Sequence, residues 1–545
     1  MKNTDFFSEE EILEIRNEIC QKFDKFDNER QKQISHIQSI KNAIYGDYNL
    51  GKIAPSLPDA WEQASTLKAH LLEAISSHPE GLFDVSENDN QTSQRANAHK
   101  IFLCDVLDKI KFNNKIEKII DRLVEEGEIT LFVGWESRFI TKRRTISLFD
   151  KINSNECKNF KIIREKIYEG ANVSIIKACD FVFDVKRKEN FDSCPKIQRS
   201  FMDLNEILEN DENFTLNNQQ KEELKLRLKE KEGDDNNLIE VLKFWGDFKL
   251  HSGRVLKNRL IVVIDRLFVV QNEPNPYVIN PFIHSSLICD PHTKRGISPL
   301  APILPVLSCA NEIMQTQVLG HKLVSNPPFL APKGAFCGEI NIKPGKIIEY
   351  DSALLPQMPQ PINFSQIFSG WDFIKFFKSE MERATGIFDN MAGQVKQQAR
   401  TATEINASTS GQNARLNRFI DIINRRIIIP LIEKIALTNS NFTIGNTNLT
   451  TQIEGKTVTL EITPEIREAN FIYRYSDKKA GTDRILRQKE IENTISQFAK
   501  IPELSNKINW EECFKHALSN LGVENTAKFI KTQIDSEAKN EIHTT

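Results

Sequence analysis

The stretch from about Phe364 to Ile435 constrains the fold most. Its first part, FSQIFSGWDFIKFFKSEMERATGI, carries Trp371, Phe373, Ile374, Phe377 and Met381 three and four apart among charges, which predicts a helix. The middle, FDNMAGQVKQQARTATEI, is poor in large apolar residues. It holds Gly393, Gln394, Gln397 and Gln398 with two cations, Lys396 and Arg400. From Thr401 to about Leu437 helical spacing returns in Ile405, Leu416, Phe419, Ile420, Ile423, Ile427, Leu431 and Ile435. Two long helices joined by a polar, mildly basic loop predict a loop held out into a solvent-filled space. Nothing in the stretch has the pattern of a catalytic site.

A chain of 545 residues is too long for one compact core, so two to four domains are expected. With 72 basic against 75 acidic residues the formal net charge is −3. No overall basic field draws a polyanion to the surface, which argues against tight DNA binding as the main task and leaves room for brief, loose contact. The nine cysteines are scattered with no CxxC pair, so a zinc ribbon or a thioredoxin-type site is not expected, and a reducing compartment is. The N-terminus, MKNTDFFSEEEILEI, has no signal-peptide apolar core, and no run approaches 18 apolar residues, so no membrane contact is expected.

Ser8 followed by Glu11 forms a capping box that opens a long polar helix to about Ile44, closed by Tyr45-Gly46-Asp47-Tyr48. A second helix starts near Pro58 with Trp61, Leu67, Leu71 and Ile75. Residues 84–96 read as loop, and one helix is expected over about 97–125, closing at Gly127. Then the period changes to two. EITLFVGWES (128–137) reads as a strand ending in a Gly-Trp turn, and ANVSIIKACDFVFDV (171–185) as one or two more. Residues 203–235 are charged and loosely helical. Strand signals resume at 239–248 and 259–271. In GISPLAPILPVLSCANEIMQTQVLGHKLVSNPPF, a helix must begin at or near the last of Pro299, Pro302 and Pro305. It should stop at about Ser325, before Asn326-Pro327-Pro328. Residues 326–363 read as a small β-like unit, NFTIGNTNLTTQIEGKTVTLEITPEI as strands, and 477–545 as polar helices.

The motifs offer little chemistry. The GKT at 455–457 lacks the glycine a phosphate loop needs, since position 450 is threonine, and the segment alternates as a strand. Asp180 and Asp184, four apart in an expected strand, share a face as metal-holding carboxylates do, but no further acid accompanies them, and solvated strand ends is the better reading. His284 and His292 near Cys289 and Asp290 read as loop residues, and no HExxH or ligand spacing occurs among the ten histidines. Asn441-Phe-Thr and Asn448-Leu-Thr match glycosylation acceptors by chance. No catalytic residue, metal ligand or cofactor site is expected.

In order and spacing, several stretches resemble the portal proteins of tailed bacteriophages, nearest to the short-tailed (podovirus) type. They are LVEEGEITLFVGWES, GISPLAPILPVLSCANEI, NPPF, IKPGKIIEY, and ERATGIFDNMAG with ARTATEI. The resemblance implies an α+β portal fold in a ring, usually of twelve subunits, around a channel for double-stranded DNA. The implied parts are a wing at 1–298 and 403–476, stem helices at 299–325 and 364–385, and a clip at 326–363. A tunnel loop at 386–402 and a helical crown at 477–545 complete it.

It further implies a non-enzymatic protein at one capsid vertex of the virion, assembled in the host cytoplasm. Its tasks would be genome packaging, retention and ejection. Partners implied are further copies of the chain, the large terminase and then a tail adaptor on the clip, the major capsid protein and scaffold, and DNA in transit without sequence preference. Expected DNA contacts are Gln394, Lys396, Gln397, Gln398 and Arg400; expected docking residues are Lys333, Lys343 and Lys346. The alternatives are a nucleic-acid-processing packaging enzyme, and a scaffold or minor capsid protein without a channel.

Overall fold

A computed structural model describes residues 7–46, 56–75, 79–87, 94–145, 160–209, 214, 216–230, 238–325, 329–330, 360–361, 370–387, 414–453 and 456–475. The chain is α+β. It divides into two compact units: 1–36, 68–298 and 413–545 in the first, and 37–67 with 299–412 in the second.

In the first unit, α1 (Glu9–Tyr45) opens on the expected capping box: Ser8 N donates to Glu11 Oε2 at 3.1 Å and Glu11 N to Ser8 Oγ at 3.2 Å. A five-stranded antiparallel sheet runs in the order β4 (Phe181–Phe183), β5 (Lys196–Asp203), β6 (Leu238–Lys249), β7 (Val255–Ile264), β8 (Phe268–Pro274). It is buried on both faces, which explains why LIVVI (260–264) is apolar throughout. Val241, Trp245, Leu260, Val262 and Ile264 pack on one side with Phe282. Their strand neighbours Leu242, Phe244, Ile261 and Val263 pack on the other, against Ile15, Ile19, Phe23 and Phe26 of α1. Small helices α5 (Leu204–Glu209) and α6 (Asn218–Glu230) add Ile207 and Leu224 to the first side.

The apolar stripe of α1 continues into Arg30, which is 1% exposed. Its guanidinium donates to Ala178 O at 2.8 Å and Phe181 O at 2.9 Å, and pairs with Asp27. A buried cation thus caps backbone carbonyls before and at the start of β4, and the helix read as polar anchors a sheet edge. Arg30→Ala leaves two buried carbonyls and Asp27 without this donor. We expect a loss of about 3 kcal/mol in urea unfolding.

Beside this sheet lies a three-stranded one in the order β3 (Phe160–Ile176), β2 (Glu128–Thr145), β9 (Phe282–Ser286). Here the structure corrects the expected turn at Gly134-Trp135. The strand runs straight through, with Gly134 opposite Asn172 and Trp135 opposite Ala171. Glycine is required there for space, because a Cβ would sit 2.4 Å from the Phe132 ring. Where β2 starts, Gly127 has φ +80°, and a Cβ would meet Ile297 C at 2.3 Å. The opposing Gly296 allows the approach from the short strand pair β10 (Ile288–Cys289) and β11 (Gly296–Ile297). Ser298 Oγ closes the junction by donating to Val124 O at 2.6 Å.

Other expectations also change. The single helix at 97–125 is two, α3 (Gln94–Lys109) and α4 (Phe112–Glu125), broken where Lys111 takes φ 53°. The stretch read as loop from 84 begins in a strand, β1 (Phe83–Ser86), paired with a segment far along the chain. Helix 414–423 (α9) passes through a π segment at Asn424–Ile428 into α10 (Ile429–Phe442), five residues beyond the expected end. On the hairpin of β2 and β3, Asn439 of α10 accepts from Ala171 N at 3.2 Å, and Phe442 stacks on Trp135 with centroids 5.5 Å apart. The hairpin β14 (Thr447–Ile453) and β15 (Lys456–Ile462) takes up Lys456 and Thr457 as strand residues, in line with the reading of GKT. The partner of β1 is β16 (Ile472–Tyr475). Residues 477–545 lie outside the described residues.

Beside β1 and β16, His99 of α3 is 1% exposed. It stacks on Phe471 with centroids 4.4 Å apart, and its Nε2 is 2.9 Å from the Tyr473 hydroxyl. Burial pulls its pKa from 6.5 down to about 4. The folded state therefore keeps the ring neutral while the unfolded chain protonates it. Stability is full above pH 6.5 and falls as pH drops towards 4. His99→Phe should remove roughly 3 kcal/mol of this acid dependence, seen as a shallower fall of the urea midpoint between those pH values.

Candidate functional site

The second unit contains the two helices on either side of the expected β unit at 326–363. The first, α7 (Leu304–Ser325), carries Pro305 in its first turn and ends before Asn326-Pro327, as the proline argument requires. The second, α8 (Trp371–Thr385), starts after Gly370 and closes on Gly386, whose φ of 78° lets its N–H reach Glu382 O at 2.8 Å. Residues 364–369, expected to be helical with it, lie outside the described residues. So does most of the expected β unit, of which two short strands are seen, β12 (Phe329–Leu330) and β13 (Gln360–Pro361), paired antiparallel.

The helices meet along narrow stripes. Leu307, Ala310 and Gln317 of α7, with Ile303 just before it, are buried three, four and seven apart. On α8 the buried apolar residues are Ile374 and Met381. Gly370 is buried where the two come closest, and a Cβ there would lie 2.6 Å from Ile313 Cγ2. The first half of α2 (Asp59–Ile75) joins them through side chains. Thr385 Oγ1 donates to Gln63 Oε1 at 3.0 Å, and Lys378 lies 3.8 Å from Asp59 and 3.7 Å from Glu62. Just ahead of α2, Leu57 N donates to Asn311 Oδ1 at 2.7 Å.

The rest of the helix surface is open. Turned away from the buried stripe of α7 are Ser308, Glu312, Gln315, Thr316, Leu319 and Lys322, all exposed, with one acid and one base among them. On α8, Phe373 and Phe376 lie three apart and are 49% and 56% exposed. Trp371 at its start and Trp61 of α2 are 52% and 56% exposed, although the sequence reading grouped both with the apolar residues of their helices. Aromatic side chains of this size seldom face water in a finished assembly. The open surface of this unit, mostly polar on α7 and aromatic among Asp372, Lys375 and Arg383 on α8, is therefore the candidate functional site, with the character of a contact surface.

The loop residues Gln394, Lys396, Gln397, Gln398 and Arg400, and the docking residues Lys333, Lys343 and Lys346, lie outside the described residues. The weaker chemical candidates are accounted for. Asp180 closes a 3-10 turn 3.5 Å from Arg199, and Asp184 caps Lys186 N at 3.1 Å, so they do not share a strand face as expected. His284 lies on β9, not in a loop, with Nδ1 3.0 Å from Thr130 Oγ1 and Nε2 3.7 Å from Glu128. Asp290 and His292 form a turn, the Asp290 carboxylate accepting from His292 N at 2.9 Å.

Glu128 sits in a recess lined by Arg122, Glu126, Thr130 and Arg295, with room for little more than one water. Its carboxylate accepts from Gly296 N at 2.8 Å and lies 3.5 Å from Arg295, an arrangement that clamps backbone. Among the described residues no group of three or more His, Cys, Asp or Glu is placed to hold a metal ion, and no helix is long and apolar enough to cross a membrane.

Comparison of the chain with protein-family models and with curated proteins finds no match. The close approach at Gly370 yields a test of the helix pair. Gly370→Ala should cost about 1–3 kcal/mol by pushing on Ile313. Ile313→Ala in the same chain should recover part of it, measured as the coupling in a double-mutant cycle of urea unfolding.

Proposed function

We propose that the chain is the subunit of a portal ring, a channel at one capsid vertex through which double-stranded DNA is packaged, retained and ejected. The observation that carries this reading is the helix pair. Each helix buries one narrow stripe, and α8 leaves the large aromatic residues Trp371, Phe373 and Phe376 in water. Such a pair is incomplete as a single copy and complete when neighbours cover it. Repeated contact between two different patches closes into a ring when the rotation allows. In that ring Phe373 and Phe376 pack against the adjacent subunit.

The polar face of α7 suits the lumen. A helix of 22 residues spans about 33 Å. With Glu312 and Lys322 as its charges, it offers sliding DNA a nearly neutral wall, whereas each added phosphate contact would tighten binding and slow transit. Lys396 and Arg400 supply weak backbone contact without sequence preference. Terminase and then a tail adaptor would dock on the segment with Lys333, Lys343 and Lys346, and the ring would nucleate the shell.

The test is assembly. In sedimentation velocity the wild-type protein should run as one large closed oligomer. Phe373→Asp with Phe376→Asp should remain a single subunit with unchanged helical circular dichroism, because burying two carboxylates at each contact costs several kcal/mol. A double variant that assembles like wild type would refute the reading.

A further inference from the structure

The hairpin of β2 and β3 is far longer than the sheet it belongs to. Strand β9 covers β2 only from Glu128 to Phe132, so among the described residues the two strands form, from Arg138 to Thr145 and from Phe160 to Glu169, a ribbon paired with each other alone. Such ribbons are marginally stable by themselves, and they expose apolar side chains that a third layer would normally cover. On one face, set by the register, lie Phe139, Arg143, Ile162, Arg164 and Lys166. Phe139 is 44% exposed and Ile162 61%. The two ribbon strands carry seven basic residues against two acidic, a net of +5 in a chain whose formal charge is −3, which leaves −8 on the remainder.

We infer that this face docks on a second copy of the chain, against the first two turns of α1. That segment has the complementary character. Ser8–Glu14 holds four acids and no base. Glu11 is used in the capping box and Glu14 accepts from His251 N at 2.6 Å, while Glu9 and Glu10 point to solvent. Beside them Ile12 and Leu13 are 40% and 51% exposed. Glu9, Ile12 and Leu13 share one helical face, so acid and apolar groups alternate there as cation and apolar groups do on the ribbon.

A protein partner fits better than a nucleic acid. Lys142 pairs with Glu165 at 2.7 Å, Lys166 with Glu169 at 2.8 Å and Arg138 with Glu136 at 3.1 Å, so much of the ribbon's charge is already answered internally. Phosphates gain nothing from Ile162. Because the two patches differ, the contact is head-to-tail, the kind that closes a ring. The inference rests on the ring reading above in needing copies that meet this way.

The test is a charge swap followed by sedimentation velocity, with mobility of a 30-base-pair duplex as a second readout. Arg143→Glu with Arg164→Glu should weaken self-association at least ~10-fold, and so should Glu9→Lys with Glu10→Lys. The four changes combined should restore it to within ~3-fold of wild type. Ile162→Ser, which leaves every charge in place, should also weaken association, and unchanged circular dichroism separates this from misfolding. If wild type assembles and the reversals change nothing, or the combination is no better than either pair, the inference is wrong and the ring stands. If the arginine pair keeps assembly and loses duplex binding, the face is a nucleic-acid surface and the inference is also wrong. A wild type that stays a single subunit removes the ring reading and the inference together.

Discussion

The contact between α7 and α8 is about one side chain wide. Leu307 and Ala310, with Ile303 before them, are the buried residues of one helix and Ile374 and Met381 those of the other, and at Gly370 a Cβ would lie 2.6 Å from Ile313 Cγ2. A contact this narrow stabilises the pair and leaves most of both surfaces unused. On α7 the unused surface is mostly polar with one acid and one base; on α8 it carries Phe373 and Phe376 beside Asp372 and Lys375. Those two properties give the unit its proposed place in a larger assembly. A wider stripe would make a self-sufficient bundle, and a charged one would hold DNA instead of letting it pass.

The first unit is stabilised in a different way. Its five-stranded sheet is covered on both faces, so its core does not wait for a partner. Polar groups inside it serve the backbone. Arg30 takes up the carbonyls of Ala178 and Phe181, and Glu128 takes the N–H of Gly296 beside two glycines in close contact. These groups fix where loops enter and leave the sheets. The hairpin of β2 and β3 is the exception in this unit: no other described strand pairs with its outer half, and its charge runs opposite to that of the chain.

Local signals in the sequence were reliable where the physics is local. The Ser8–Glu11 box and the prolines up to Pro305 mark helix starts through single backbone constraints, and both are where expected. The β-branched and aromatic runs at 239–248 and 259–271 mark strands, continuous at 260–264 because both faces of the sheet are covered. What was not legible depends on distant residues. Gly134-Trp135 has turn composition, yet the strand continues because β3 pairs with it and Phe132 fills the space a side chain would take. Residues 84–86 look like loop until Ile472–Tyr475 supplies a partner nearly 390 positions away. Arg30 and His99 look like surface residues until tertiary packing buries them. The candidate surface was half legible: helical periodicity marks α8, but it does not say that Trp371, Phe373 and Phe376 stay in water while Ile374 is covered.

The central claim is that this chain is complete only in a closed ring of copies. Electron microscopy of the purified protein tests it most directly. The account predicts rings of uniform size with a central opening wide enough for a DNA duplex, about 20 Å or more given the groove and strand dimensions of B-form DNA. A homogeneous population of single subunits, or open filaments without a central hole, would contradict it.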